Sequence, residues 1–361
     1  MSVRRPDQEF WNGRRVLLTG HTGFKGSWLA LWLSQLGADV YAFALPPADG
    51  PNLFSLADVA SHCDSHFVDL RDASSVADAV REARPEIVLH LAAQALVRRS
   101  LEDPIETFDT NVTGLVNLME ALRGETDLHT VLIVTSDKVY WNNGCGCAFK
   151  ESAPLGGKDP YSASKAAAEH VAHTYAQSYF ERDGIRVATS RGGNVIGGGD
   201  FAADRIAPDC VRAALEGEPL TLRHPEATRP WQHALDCLCG YLLFVETLSQ
   251  DPSCPRTLNI GPRSSEDLPV RIFAETLLSA LGHVTANGCP KVLVEPVPGS
   301  IEAPYLQIDA SLARSTLGWD DEMVGRIAIA SVASWFRQWL DGADMSSVTL
   351  SEINAYQTAA P

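Results

Sequence analysis

The chain reads as an α/β protein, a doubly wound parallel sheet followed by a smaller C-terminal domain, and three observations lead there. Short aliphatic or β-branched runs alternate with helical patterns through the first half. A glycine-rich turn follows the first of those runs, at 20–26. Beyond Arg191 the alternation stops, and Gly192-Gly193 and Gly197-Gly198-Gly199 mark a loop. Strand–helix alternation requires crossover helices over a parallel sheet, which the doubly wound arrangement provides.

Val16-Leu17-Leu18-Thr19 reads as a buried strand. Trp28, Leu29, Leu31, Trp32, Leu33 and Leu36 then recur at a spacing that suits a helix laid on the sheet, and Gly37 stops it. Val40-Tyr41-Ala42-Phe43, Ile87-Val88-Leu89-His90-Leu91, Val131-Leu132-Ile133-Val134 and Arg186-Val187-Ala188-Thr189-Ser190 are further strands, with helices expected over 74–83, 105–122 and 161–181. This assigns 1–191 to a first domain and 192–345 to a second. A segment at 231–262, ending in Thr257-Leu258-Asn259-Ile260-Gly261, returns to the first sheet, and 346–361 reads as a flexible tail.

The 361 residues are 45% hydrophobic and 20% charged, ordinary for a chain that forms a core and unlike a disordered or collagenous one. At roughly 150 residues per domain the length fits two domains. The net charge of −16 disfavours nucleic acid as a partner, while leaving room for a local basic pocket around a small anion. No apolar run reaches the roughly 20 residues needed to span a bilayer, and the basic N-terminus leads into polar residues, a poor secretory signal. The eight cysteines include no Cys-x-x-Cys pair, and the two Cys-x-Cys pairs, Cys145/Cys147 and Cys237/Cys239, lack a second ligand pair. Reduced cysteines, no metal site and a cytoplasmic location are the expectation.

The turn Gly20-His21-Thr22-Gly23-Phe24-Lys25-Gly26 follows a strand and opens a helix. Such glycines allow a tight turn, close approach to a pyrophosphate and close helix–strand packing, while the helix start offers N–H groups to the phosphates. In that position the pattern points to a dinucleotide and a Rossmann-type first domain. The end of the second strand, Ala44-Leu45-Pro46-Pro47, has neither the carboxylate that selects NAD nor an arginine for a 2′-phosphate. Asp69 is placed to meet an adenine amine, or else to cap a helix.

Tyr161 and Lys165 stand four residues apart, on one helix face. An ammonium beside a phenol favours the phenolate, which can take a proton from a hydroxyl as its carbon gives up hydride. Thr135-Ser136-Asp137-Lys138 follows the strand 131–134, at the strand end where open α/β sheets bind ligands. It supplies a hydroxyl, a carboxylate and an ammonium in consecutive positions.

With His90-Leu91-Ala92-Ala93-Gln94, these motifs resemble the extended short-chain dehydrogenase/reductase family, and within it the nucleotide-sugar 4,6-dehydratases. The stretches GHTGFKGSWL (20–29), SDK (136–138), DPY (159–161), GNVIGGGD (193–200), Asp204-Arg205-Ile206 with Pro208-Asp209, and RPWQH (229–233) carry the likeness, which runs from about residue 10 to 320. Dehydratases of other nucleotide sugars have Thr-Asp-Glu where this chain has Ser136, Asp137 and Lys138.

The resemblance implies a redox-neutral dehydration with tightly held NAD. Gly20, Thr22, Gly23, Phe24, Lys25, Gly26, Asp69, Leu70, Leu91, Ala92, Ala93, Gln94, Thr135, Tyr161 and Lys165 would line the cofactor. Gln94, Asn194, Arg205, Arg229 and His233 would contact the substrate, which the resemblance alone makes CDP-glucose. Tyr161 would be the base at the C4 hydroxyl, Ser136 the hydrogen-bond partner of the C4 ketone, and Asp137 the acid at C6. Lys138 is either the base at C5 or an electrostatic partner of Asp137, since a basic lysine must first be made neutral. Rival readings are a nucleotide-sugar 4-epimerase, a dehydratase of another nucleotide sugar, and a non-catalytic dinucleotide sensor. Surplus apolar positions on helices 105–122 and 161–181 point to a homodimer or higher homo-oligomer.

Overall fold

The computed structural model describes residues 3–144, 146–263, 268–282, 290–295 and 306–359. Cys145, Cys289 and the parts of the expected second domain at 264–267, 283–289 and 296–305 lie outside the described residues. The central sheet has seven parallel strands: β1 (Arg15–Thr19), β2 (Asp39–Ala44), β3 (Asp64–Phe67), β4 (Ile87–His90), β5 (Thr130–Val134), β6 (Arg186–Arg191) and β7 (Thr257–Asn259). Their order across the sheet is β7-β6-β5-β4-β1-β2-β3. The chain starts in the middle, fills one edge, then returns beside β1 to fill the other. The reversal between β1 and β4 opens a crevice at the strands' C-terminal ends, where such sheets bind ligands.

Successive side chains alternate between two buried layers, as a pleated strand requires. Val16, Leu18, Leu89 and Leu132 pack into one, while Leu17, Val88, Val131 and Ile133 pack into the other. The helix α1 (Phe24–Gln35) is buried from Gly26 to Leu33 because both its sides are covered: Trp28 Nε1 donates to the Gly198 carbonyl and Trp32 Nε1 to Gln357. The helix α2 (Ala73–Ala83) starts at Asp72, whose carboxylate accepts the N–H groups of Ser74 and Ser75.

The helix expected at 105–122 is three pieces: Pro104–Phe108, a π turn Asp109–Thr113, and α3 (Gly114–Ala121). The widened turn carries the buried Asn111, and Gly114 brings the backbone against Leu70, where an added Cβ would stand 2.8 Å from the Leu70 Cβ. The helix α4 (Pro160–Tyr175) is capped by Asp159 with Pro160 in its first turn, and it runs on through a π turn Ala176–Phe180.

Beyond β6, short strand pairs (Val195–Ile196 with Gln232–His233, Thr228–Arg229 with Leu268–Pro269, Leu220–Leu222 with Val292–Val294) lie among the helices Ile206–Glu216, Val270–Leu281 and Arg326–Leu340. The helix α5 (Ala234–Gln250) is buried over nearly its whole length and leads back to β7.

The flexible tail expected at 346–361 is corrected by the helix Met345–Thr358. Met345, Thr349, Ile353 and Tyr356 are buried, and the Tyr356 hydroxyl donates to Asp236 at 2.7 Å. Among the described residues no helix is long and apolar enough to cross a membrane.

Candidate active site

The turn between β1 and α1 is an open backbone cradle. Gly20 has φ +86°, and a Cβ there would stand 2.7 Å from the Ala92 N. Gly23 starts α1 with no side chain capping the helix, so the first N–H groups are left to whatever lies in front of them. Ala92 N donates to Thr19 Oγ1, which fixes the strand end beside the turn. This donor set fits a dinucleotide's pyrophosphate. Toward the β2 and β3 ends, Leu45 (48% exposed) and Phe67 (58% exposed) give apolar surface of the kind a purine covers. Asp69 is gripped by Arg71, which holds its carboxyl below the ordinary value. The Leu70 carbonyl accepts from Asn117, and Thr22 Oγ1 donates to the Leu45 carbonyl.

Beyond β5 the chain makes one tight turn, Asp137–Val139, capped by Ser136, whose hydroxyl accepts the Lys138 N–H. Ser136 Oγ donates to Asp137 Oδ1 at 3.1 Å and lies close enough to the Tyr161 phenol to oppose its raised pKa. Lys138 Nζ stands 3.9 Å from the same carboxyl oxygen. Asn194 Nδ2 donates to the other oxygen at 3.3 Å. Tyr161 sits in the first turn of α4, where its N–H donates to Ser100 Oγ at 3.1 Å. Ser136, Asp137, Lys138, Tyr161 and Asn194 therefore converge on one point at the strand ends.

The expected effect of Lys165 on the phenol is corrected. Lys165 Nζ donates to the Val134 carbonyl at 3.0 Å, and the Tyr161 pKa is raised by burial, with Ser136 only partly opposing. Burial, then the charge of Lys25, brings Lys165 itself down to about 7. Lys25 turns its side chain inward from the glycine turn, and its Nζ donates to Tyr241 Oη on α5 at 3.3 Å.

Other expectations are also corrected. His233 is fully buried, its Nδ1 capping α5 by accepting the Leu235 N–H, so it is a helix-start residue rather than a ligand contact. The Gln94 side chain closes its own loop through Leu96 and Thr107. The Thr135 hydroxyl is bonded to Glu169 rather than turned to the crevice. Gly197, Gly198 and Gly199 make room for Phe24, Trp335 and Leu53, so these glycines serve packing. Arg205 pairs with Asp200 at 3.1 Å and lies close enough to the Tyr161 phenol to oppose its raised pKa. Arg229 donates to the Thr228 carbonyl at 3.0 Å.

Two groups escape sequence reading. Asn111, from the π turn, exchanges hydrogen bonds with the Gln94 backbone and donates to Ser164 Oγ at 2.9 Å. Nothing in its neighbourhood signals this. Glu169, buried against Arg191, is one helical turn beyond Lys165; that spacing is a signal, though a carboxylate there also reads as a solvated face.

A phenol beside a hydroxyl and a carboxylate at the end of β5, in a sheet with a dinucleotide cradle after β1, equips a protein to oxidise a hydroxyl, and with this sheet it defines the class of the extended short-chain dehydrogenases/reductases. The chain belongs to the GDP-mannose 4,6 dehydratase family, whose model matches residues 17–327. It is 38% identical to a CDP-glucose 4,6-dehydratase of Salmonella typhimurium, over 98% of this chain and 99% of that protein. It is 29% identical to a dTDP-glucose 4,6-dehydratase of Xanthomonas campestris, over 94% and 98%. The solved UDP-glucose 4-epimerase of Thermus thermophilus, in complex with NAD, superposes with a TM-score of 0.74 at 28% identity, covering 89% of this chain and 98% of that one.

Proposed function

We propose that the protein converts CDP-glucose to CDP-4-keto-6-deoxyglucose with NAD as its resident cofactor. The observation that carries this reading is the pairing of Asp137 and Lys138 beside Ser136 and Tyr161. A 4-epimerase oxidises and reduces the same carbon and has no use for an acid at C6 or a base at C5. Cytosine as the base rests on the likeness to the Salmonella enzyme.

The turn at 20–26, with Asp69, Leu70 and the stretch 91–93, would hold NAD, which would supply a hydride acceptor for C4 and a hydride donor for C6. Tyr161 takes the proton of the C4 hydroxyl as C4 is oxidised, and Ser136 donates to the ketone oxygen that forms. The ketone acidifies the C5–H, which Lys138 takes as base and gives back to C5 when C6 is reduced. Asp137 protonates the C6 hydroxyl, which departs as water. Lys165, whose Nζ stands at the Val134 carbonyl, would hold the cofactor's ribose. Arg205, with Arg229, meets the diphosphate of an anionic substrate in an otherwise acidic protein. In this arrangement 1–191 carries the cofactor, with 231–262 completing the sheet, and 192–345 carries the substrate.

Incubation with CDP-glucose, and in parallel with the glucose diphosphates of uridine and thymidine and with GDP-mannose, tests the assignment. Alkali-induced absorbance of a 4-keto-6-deoxy sugar and the loss of one water in the mass spectrum are expected from CDP-glucose alone. An unchanged mass with a new sugar stereochemistry would make the protein an epimerase.

A further inference from the structure

We propose that Asn194 is a positioning residue for the general acid, fixing which oxygen of Asp137 carries the transferable proton. The inference rests on the proposed dehydration, in which Asp137 protonates the leaving hydroxyl. The Asp137 side chain is 1% exposed, so its two oxygens are told apart by their neighbours rather than averaged by water. Oδ1 faces the Ser136 hydroxyl at 3.1 Å and Lys138 Nζ at 3.9 Å. Oδ2 receives the Asn194 amide at 3.3 Å.

The backbone is shaped to make that second contact. Asn194 has φ +41°, in the left-handed region that few non-glycine residues adopt. The residue before it has no side chain: a Cβ at Gly193 would stand 2.1 Å from the Asp137 Cγ. The carboxyl thus lies flat on the backbone at 193 with the next residue's amide turned onto it. Backbone strain of this kind persists where the surroundings hold it, often at functional sites.

An amide N–H donates and cannot accept. While Asn194 holds Oδ2, that oxygen is the carbonyl oxygen of the neutral acid; the Ser136 hydroxyl, unlike an amide N–H, can turn from donor to acceptor, so the proton sits on Oδ1, beside Ser136 and toward the reacting sugar. When the C6–O bond breaks, its electron pair leaves with the oxygen, the Oδ1–H bond breaks, and the new O–H bond completes water. Asp137 is left as a carboxylate with Asn194 still donating to Oδ2 and Lys138 close to Oδ1. The proton that Tyr161 gained at C4 balances the one Asp137 gave, and exchange with solvent resets both.

The rival role for Asn194 is the one its sequence motif suggests, a direct contact to the substrate. Asn194→Ala, which loses the donor, and Asn194→Asp, which sets an acceptor against Oδ2, separate the two; Asn194→Gly keeps the φ and shows whether strain alone matters. With CDP-glucose in deuterated water, kcat should fall about tenfold to a hundredfold in all three with KM little changed. Quenching with borodeuteride should reveal an accumulated 4-keto hexose that still holds its C6 oxygen, and recovered substrate should carry deuterium at C5. A raised KM with the parent's partition between keto hexose and product, or no change in either, overturns the inference and leaves the dehydratase reading intact. A parent protein that dehydrates none of the nucleotide sugars overturns both.

Discussion

Arg191 holds Glu169 by two parallel hydrogen bonds, Nη2 to Oε2 at 2.8 Å and Nε to Oε1 at 3.0 Å, with both side chains almost wholly buried. The hydroxyls of Thr135 and Thr189 donate to the same carboxylate. Arg191 continues to the Tyr140 hydroxyl at 2.9 Å and the Glu151 carbonyl at 3.0 Å, and Tyr140 donates to Asn259 at 2.7 Å. One ion pair therefore ties α4, one turn beyond Lys165, to the ends of β5, β6 and β7.

Removing one partner should be costly because the other stays buried and charged. Glu169→Leu or Arg191→Met should each lower stability by about 3–5 kcal/mol, whereas the double apolar replacement should recover much of that loss. Urea unfolding of the three variants measures it. Single variants as stable as the parent would show that the pair is relieved by water.

What was legible in the sequence follows from what local pattern encodes. The strands β1, β2, β4, β5 and β6 are short apolar runs, and the glycine turn and Tyr161/Lys165 have fixed spacings, so both sheet and crevice could be read. The break at Asp109–Thr113 could not, because it answers to Asn111 reaching Gln94 and Ser164, contacts distant in sequence. His233 misleads for a related reason: its buried cap to Leu235 exists only once α5 is enclosed. The helix Met345–Thr358 has a weakly patterned sequence and is ordered by the groove it fills, where Trp32 stacks edge-on to Tyr356 at 5.6 Å.

Tyr161→Phe should leave the fold intact and reduce kcat by about 10²–10⁴, the usual worth of a positioned base. Lys138→Met distinguishes the two roles of that lysine. As the C5 base it is required for exchange of the C5 proton with solvent, so exchange should fall with turnover; exchange at the parent rate would assign Lys138 to electrostatic support of Asp137.

Lys165, brought to about 7 from an ordinary 10.5, should react with amine reagents at a pH where surface lysines are still protonated. Lys25 contributes to that depression, so Lys25→Met should move the half-reactivity of Lys165 to higher pH. Competitive labelling across pH, read by mass spectrometry of the peptide that contains Lys165, decides it. No movement would leave burial as the whole cause.

Leu101, Ile105 and Phe108 are 48%, 74% and 39% exposed along one short stretch beside α4. Pairing of that apolar surface with a second copy of the chain would give the homodimer or higher homo-oligomer expected from the sequence. Light scattering at micromolar protein should give twice the chain mass, and Ile105→Glu should give the monomer mass with an unaltered fold. A parent that is already monomeric overturns the pairing.

Glu246, on the buried helix α5, accepts from Trp11 Nε1 at 2.8 Å, from the Asp7 N–H at 2.8 Å and from Arg4 at 3.2 Å. Burial outweighs these donors and lifts its carboxyl from 4.5 to about 7. Between those two values the folded chain keeps a proton that the unfolded chain has lost. The contribution to stability is therefore full below about pH 4.5 and is lost as pH rises to about 7. Asp236 follows the same sign, while the neutral buried imidazoles of His90 and His233 act oppositely, losing stability as pH falls below 6.5. A difference between two proteins cancels all but the altered group. Glu246→Gln keeps an acceptor for Trp11 and cannot ionise, so its Tm relative to the parent should rise steadily from about pH 5 to about pH 7 and then level off. A relative Tm that stays flat across that window would mean that Glu246 is already ionised at pH 5, held so by Arg4.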